Sequence, residues 1–352
     1  MVWLLFFFLK SLKKRVLMSE KLLSVIIPTY NVEKYIVECV DSLLAQISAP
    51  NEIIIVNDSS TDGTLALLRH HYGRMPQVQI ITVPNGGAGL ARDKGIELAQ
   101  GDFLFFCDPD DRVAPGLIQE LQHVVQQHPQ VELFCFNSIA FDHEKPQLSS
   151  FKVKHDLAGL QPAQQVLSSL LRNGTYTSAA WNYILKRTVV DNYQLRFEQR
   201  VHEDHCFSLG AFLKSHQAWV SENSYYQQRV RAGSLTNGSK NSDYFLQRYH
   251  AFMQAYHDLM TTLEKNNWRN QLQKEYLLHS FRLMIYLSLY NRTPVPHYVI
   301  NAIRFLGREI KPTGFKEWLL LNQPELFIRL QNYKVKKEMK KNRLIPKSVQ
   351  VV

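Results

Sequence analysis

The chain reads as an α/β protein built around a largely parallel sheet, and two observations predict it. From Leu22 onward, short β-branched runs alternate with segments of helical period, the pattern of βαβ units. The run Glu52–Asn57 (EIIIVN) is apolar on both faces, as a central strand covered by helices on each side must be. A length of 352 residues with 45% hydrophobic and 20% charged side chains is ample for such a core. The same figures exclude a disordered or disulfide-stapled scaffold.

Taken in order, Leu22–Ile27 is the first strand. Pro28 stops its ladder pairing, and Asn31 caps a helix carrying Tyr35, Ile36, Val40, Leu43 and Leu44. Glu52–Asn57 is the second strand, followed by a helix from about Asp62 to Tyr72. Val78–Val83 is the third, and a Gly-rich turn at Asn85–Gly89 opens a helix that ends near Gln100. Phe103–Cys107 (FLFFC) is the fourth, with Asp108-Pro109-Asp110-Asp111 directly behind it. A helix over Pro115–Gln127 uses proline in its first turn, and Val131–Phe136 is a further strand. Residues 143–162 carry the weakest pattern and are expected to be the least structured. From Asn241 onward, Phe245, Tyr249, Phe252, Tyr256, Leu259 and Leu263 recur at steps of four and three, which makes this half helical with one apolar stripe.

Net charge is +10 and sits at the ends: residues 1–18 hold four bases and no acid, and residues 334–352 hold seven bases against Glu338. The body between is formally neutral. That argues against a phosphate-tracking groove for nucleic acid and leaves the basic ends to anionic phospholipid or to solubility. Cys39, Cys107, Cys135 and Cys206 are scattered without a C-x-x-C pair, so neither a zinc ribbon nor a secreted disulfide framework is supported, and a reducing compartment fits. The opening apolar run Met1–Leu9 falls far short of the roughly 20 residues that cross a bilayer. Its bases follow it, so it does not read as a secretory signal. It is a shallow membrane-dipping segment or, preferably, a translated leader ahead of a start at Met18.

In an open parallel sheet, ligands sit at the carboxyl ends of the strands. The polar clusters fall there: Pro28 to Asn31, Asp58, the Gly-rich turn, and Asp108 to Asp111. Several acids facing one crevice are costly unless something positive neutralises them, which predicts a bound cation and a hydroxyl-rich or phosphate-bearing ligand. An all-oxygen site of this kind suits Mg²⁺ or Mn²⁺.

The segments SVIIPTYN (24–31), IIIVNDSSTDGT (53–64), NGGAGLARDKGIELAQGDFLFFCDPDD (85–111) and HED (202–204) resemble, in that order, the family 2 glycosyltransferases of the GT-A fold. The resemblance implies inverting, metal-dependent transfer of a sugar from a UDP-sugar donor to an acceptor hydroxyl, on a surface polysaccharide or lipid-linked oligosaccharide. By position it implies that Pro28, Thr29 and Tyr30 hold the uridine, that Asp58 contacts the uracil, and that Arg92 lies near the nucleotide, with Asp93 where asparagine is usual. An aspartate suits uracil because it accepts from an imide N–H. A surface salt bridge with Asp93 or Glu97 is the rival account of Arg92.

Asp108 and Asp110 match the D-x-D pair, Asp110 touching the metal and Asp108 the ribose or the metal through water, while Asp111 orients the donor sugar. Glu203 and Asp204 match the family's E-D pair, which makes Asp204 the catalytic base and puts Glu203 on the acceptor side. The rival for Asp204 is a helix N-terminal acid stabilised by the macrodipole. His202 and His205 flank the pair and suit packing better than ligation. Trp181 matches an acceptor-side position, although core packing explains it equally well. Arg231, in an R-A-G-S segment, would close over the diphosphate. A non-catalytic nucleotide-sugar or glycan-binding module is the alternative function; it predicts a missing base, and Asp204 is present. The expected organisation is a leader at 1–19, a GT-A catalytic domain at 20–240, a helical region at 241–333 and a basic tail at 334–352. The basic tail places the enzyme peripherally on the inner face of the cell membrane.

Overall fold

The computed structural model describes residues 21–46, 52–142, 149–197, 202–230, 241–263 and 267–341. The leader, Arg231 and the end of the basic tail lie outside them. The expected βαβ series is present as β1 (Leu23–Thr29), α1 (Ile36–Leu44), β2 (Glu52–Asn57), α2 (Thr64–Tyr72), β3 (Val78–Thr82), α3 (Ala88–Leu98) and β4 (Phe103–Phe106). There follow β5 (Arg112–Val113), α4 (Leu117–Gln127), β6 (Leu133–Asp142), β7 (Ser149–Val153), β8 (Gly159–Pro162) and α5 (Ala163–Asn173). A 3-10 turn at Ala180–Asn182 leads to β9 (Tyr183–Lys186), α6 (Arg187–Tyr193), α7 (Asp204–Lys214) and β10 (Gln217–Val230). Helices α8 (Ser242–Thr262), α9 (Asn267–Tyr290), α10 (His297–Leu306), α11 (Phe315–Asn322) and α12 (Pro324–Lys341) complete the chain. The basic run that starts at Lys334 therefore begins inside α12.

The strands form one mixed sheet in the order β3-β2-β1-β4-β9-β6-β10-β5, with β7 added to β6 and β8 to β10. β3, β2, β1 and β4 run parallel, so their carboxyl ends share one edge. β9 is antiparallel to both β4 and β6, and the long β10 lies parallel to β6 through two register shifts.

Three local expectations are corrected. β1 continues through Pro28 and Thr29, paired with Val56 and Asn57 of β2. The even-numbered residues of β1 turn their main chain toward β4, whose ladder ends at Ile26 and Phe106, so the N–H that proline lacks falls where no partner strand remains. Asn31 does not cap α1. Its φ is +50°, and its side-chain oxygen accepts from the Thr61 N–H at 2.8 Å, tying together the loops behind β1 and β2. Part of the 143–162 stretch forms β7 and β8, edge strands whose polar alternation hid them.

Alternation along the strands divides the apolar side chains between two faces. Val25, Ile27, Ile53, Ile55 and Phe105 pack with Ile36, Leu68 and Leu121 on one side. Ile26, Ile54, Leu104 and Phe106 pack with Ala91, Leu167 and Phe207 on the other, in a core that runs on through Phe252, Leu259 and Tyr276 of the C-terminal helices. Each such fully buried side chain contributes roughly 1.5–3 kcal/mol. Gly95 allows α3 its close approach to β1: a Cβ there would strike the Ile26 side chain. Among the described residues no helix is long and apolar enough to cross a membrane.

Candidate active site

The carboxyl edge of the parallel strands collects the residues singled out in the sequence. At the end of β1, Pro28 and Thr29 are buried while Tyr30 stands out at 48% exposure. Asp58 follows β2 and is buried. Its main-chain N–H donates to the Thr29 carbonyl at 2.8 Å, and its two carboxylate oxygens accept from the Gly86 and Gly87 N–H groups at 2.8 and 2.9 Å. Asp58 thus holds the Gly-rich turn, a task the sequence did not disclose, and any contact with a base is additional to it. Gly87 takes φ +90°, open to glycine without strain.

Arg92 is the centre of the site. α3 presents it under the strand ends, where Nη2 donates to Asp108 Oδ1 at 2.9 Å and Nη1 to Glu203 Oε1 at 2.7 Å. It is buried rather than paired at the surface with Asp93 or Glu97. Asp93 instead accepts from the Phe197 N–H at 2.9 Å and so holds the ring over which the Arg92 guanidinium lies, 5.2 Å from its centroid. Burial alone would make the guanidinium easier to deprotonate, but Asp108, Glu203 and Asp204 outweigh it and hold the charge more firmly than usual. Burial pushes the Asp108 carboxyl up; Arg92 opposes this, and the charges of Asp110 and Asp204 reinforce it. Glu203 is raised for the same leading reason, with Arg92 opposing and Asp204 adding to the rise. Asp108 therefore feels both Asp110 and Asp204, and the D-x-D turn and the E-D pair border one crevice.

Asp204 is the first residue of α7, where the helix dipole favours its charge. Ser178 Oγ donates to its Oδ2 at 3.1 Å. Ser178 is itself held by its carbonyl, which accepts from Ser208 Oγ, and Ser208 receives the Tyr183 hydroxyl at 2.8 Å. His205 is buried against Phe252, with neither ring nitrogen hydrogen-bonded among the described residues.

Two of the expected site residues have other partners in the fold. Asp111 is 2% exposed, and its oxygens accept from the Tyr226 hydroxyl and the Arg229 N–H, both at 2.7 Å. It anchors the acidic turn to β10. Trp181 is 3% exposed and stacks on Tyr226 with centroids 4.4 Å apart, the core-packing account of this residue. Sequence reasoning missed Tyr226, Arg229, Glu38 and Ser178. Tyr226 also receives the Asp108 N–H at 3.0 Å. Arg229 donates from Nε to the Asp110 carbonyl at 2.7 Å and pairs with Glu38. Arg229 lies two residues before Arg231 in the sequence, which was the nearest signal available.

Among the described residues no group of three His, Cys, Asp or Glu side chains converges to hold a metal. The surplus of carboxylates over Arg92 nevertheless fits a divalent cation held by one or two of them, with diphosphate oxygens and water completing its shell.

Residues 24–168 match the family model described as Glycosyl transferase family 2. The uncharacterized glycosyltransferase EpsJ of Bacillus subtilis (strain 168) is 31% identical over 221 residues, covering 61% of this chain and 63% of that protein. The uncharacterized glycosyltransferase YibD of Escherichia coli (strain K12) is 27% identical over 315 residues, covering 86% and 88% respectively. A crystal structure of S. aureus TarS 1–349 in complex with UDP-GlcNAc matches with a TM-score of 0.68 at 19% identity, over 91% of this chain and 92% of that one. The fold is an α/β GT-A architecture with a helical C-terminal part. Over residues 24–168 the chain is similar to glycosyltransferase family 2, and it spans 63% of the length of EpsJ.

Proposed function

We propose that the enzyme transfers a sugar from a UDP-sugar to a hydroxyl of a bacterial surface polysaccharide or lipid-linked oligosaccharide, with inversion, using Mg²⁺ or Mn²⁺, and that it works peripherally at the inner face of the cell membrane. The Arg92 bridge carries the reading, because one guanidinium draws together Asp108 on the donor side and Glu203 beside the base. The UDP-GlcNAc bound to TarS supports the donor class. So do stretches similar to polysaccharide synthases, such as the 36% identity over 110 residues to a chondroitin synthase of Escherichia coli, which cover 31% of this chain and 16% of that protein.

In this reading Tyr30 stacks on the uracil above Pro28 and Thr29, and Asp58 meets its edge. Asp110, with Asp108, would hold the cation, which supplies charge neutralisation for the leaving diphosphate when bound. Arg231 would reach the diphosphate from beyond β10. Ser178 holds Oδ2 of Asp204, leaving Oδ1 to take the proton as the acceptor hydroxyl attacks. Attack from the side opposite the diphosphate inverts the anomeric carbon.

The test is UDP release from a panel of UDP-sugars with Mn²⁺ or EDTA, by the intact enzyme, Asp110→Ala and Asp204→Asn. Both variants and EDTA should lower turnover by ~100-fold or more while the protein stays folded. Equal release by all three proteins overturns the assignment.

A further inference from the structure

Six of the thirteen exposed large hydrophobic side chains among the described residues lie between positions 305 and 333: Phe305, Phe315, Trp318, Leu326, Leu330 and Tyr333. Isolated exposed apolar residues are ordinary, but such concentration on one set of packed helices is not. On α12 the steps from Leu326 to Leu330 to Tyr333 are four and three, so these side chains form one stripe, distinct from the Phe327 and Val335 side that enters the core. The next step of four reaches Lys337, with Lys334 and Lys336 beside it, all exposed. Phe305, 72% exposed on α10, adjoins the start of the stripe through the Arg304–Glu325 pair.

The charge around the stripe has one sign. Residues 304–352 carry twelve bases and four acids, so this segment supplies most of the net charge of +10. Two of the acids are matched by cations, Glu317 by Lys274 at 3.0 Å and Glu325 by Arg304. A surface that joins aromatic and leucine side chains to exposed lysines complements an apolar layer beneath anionic headgroups. Pairing this face with a second copy would set two basic surfaces against each other.

We propose that the outer face of α10–α12 is a docking surface for an anionic phospholipid bilayer. Leu326, Leu330 and Tyr333 enter the boundary between headgroups and acyl chains, and Lys334, Lys336 and Lys337 lie along the headgroups. This deepens the peripheral placement proposed above, and it stands whether or not a given UDP-sugar is the donor.

Flotation of the full chain with phosphatidylcholine vesicles, with and without phosphatidylglycerol, tests it. The protein should float with the anionic vesicles only, in a salt-sensitive manner, with a blue shift of tryptophan emission. Leu326→Ser/Leu330→Ser/Tyr333→Ser and, separately, Lys334→Glu/Lys336→Glu/Lys337→Glu should each weaken binding ~10-fold or more at an unchanged melting temperature. Absence of wild-type flotation at low salt overturns the proposal while leaving UDP release in solution unaffected. A change from dimer to monomer in the apolar variant, with flotation unchanged, also overturns it and assigns the face to a second copy.

Discussion

Replacing Arg92 tests the architecture of the site directly. Its guanidinium makes two charge-assisted hydrogen bonds, at 2.7 and 2.9 Å, and the side chains of Arg92, Asp108 and Glu203 are 10%, 30% and 18% exposed. Solvent therefore screens little of the interaction. Removing one partner of such a pair leaves buried charge uncompensated, at a cost of about 3–5 kcal/mol, so Arg92→Ala should lose that much. Scaling the unfolding entropy to a chain of 352 residues gives ~1–2 °C per kcal/mol, hence a drop of about 5 °C in melting temperature. Arg92→Lys keeps the charge, but one ammonium replaces a fork that spans two carboxylates, and the loss of one charged hydrogen bond is worth about 1.5–3 kcal/mol. Turnover should fall by ~100-fold or more in both variants, because Glu203 and Asp204 lose their fixed distance from Asp108. Differential scanning fluorimetry and UDP release on the same preparations measure both effects. In a Glu203→Gln background the cost of Arg92→Ala should shrink by ~2 kcal/mol, since one of the two buried carboxylates is gone. A melting temperature within a degree of wild type for Arg92→Ala, with unchanged turnover, would refute the reasoning.

Asp111→Asn exchanges an acceptor of two hydrogen bonds for a group that meets one donor with another, so it should lower stability by about 2 kcal/mol, read by fluorimetry, and outweigh its direct effect on donor affinity. His155 and His279 are pushed down to about 4 by burial. Folded, both bind fewer protons than unfolded between about pH 6.5 and 4, so stability falls as pH falls through that window, by roughly 3 kcal/mol each; His279→Gln should flatten the pH–melting curve, and an unchanged curve would sink this account. The raised carboxyls of Asp108 and Glu203 act with the opposite sign, their contribution being lost as pH rises. UDP alone brings negative charge into an acidic crevice, so Mn²⁺ with UDP should raise the melting temperature by more than the two separate shifts combined, by roughly 3–4 °C at about a hundred times Kd. Equal shifts with and without the metal would show that the acids hold no cation.

The parallel half of the fold was legible because each strand there is a local apolar run with its polar cluster immediately behind it. Pro28, Thr29, Tyr30, Asp58, Asp108 and Asp110 are placed by that adjacency alone. Arg92 was legible as a position but not as a bridge, since Glu203 reaches it across 111 residues of chain. Tyr226, Arg229 and Asp111 were unreadable for one shared reason: β10 pairs with β6 and β5 across long separations, and only that pairing brings Tyr226 onto Asp111 and Trp181. A tryptophan upstream of the E-D pair looks the same in sequence whether it lines a crevice or fills a core. The polar edge strands β7 and β8 lack the apolar run that marks a buried strand.

The acids at this edge divide into two sets, and the division says what the crevice is for. Asp58 and Glu38 spend their oxygens on backbone N–H groups or arginines, and Asp111 on the Tyr226 hydroxyl and the Arg229 N–H, although burial still pushes the Asp111 carboxyl well up, with Asp110 and Asp108 adding to the rise. Asp108 and Glu203 instead share the single guanidinium of Arg92, which also feels the charge of Asp204 and whose Nε has no hydrogen-bond partner among the described residues. Three carboxylates against one guanidinium leave an excess of two; burial leads the upward shifts of Asp108 and Glu203, and the charge of Asp204 adds to both. A fold keeps such an imbalance in a partly dry crevice only when a ligand offsets it, and an excess of two matches a divalent cation better than a lone ammonium. Glu203→Gln, by halving the excess, should therefore stabilise the ligand-free chain while weakening its grip on the site's geometry.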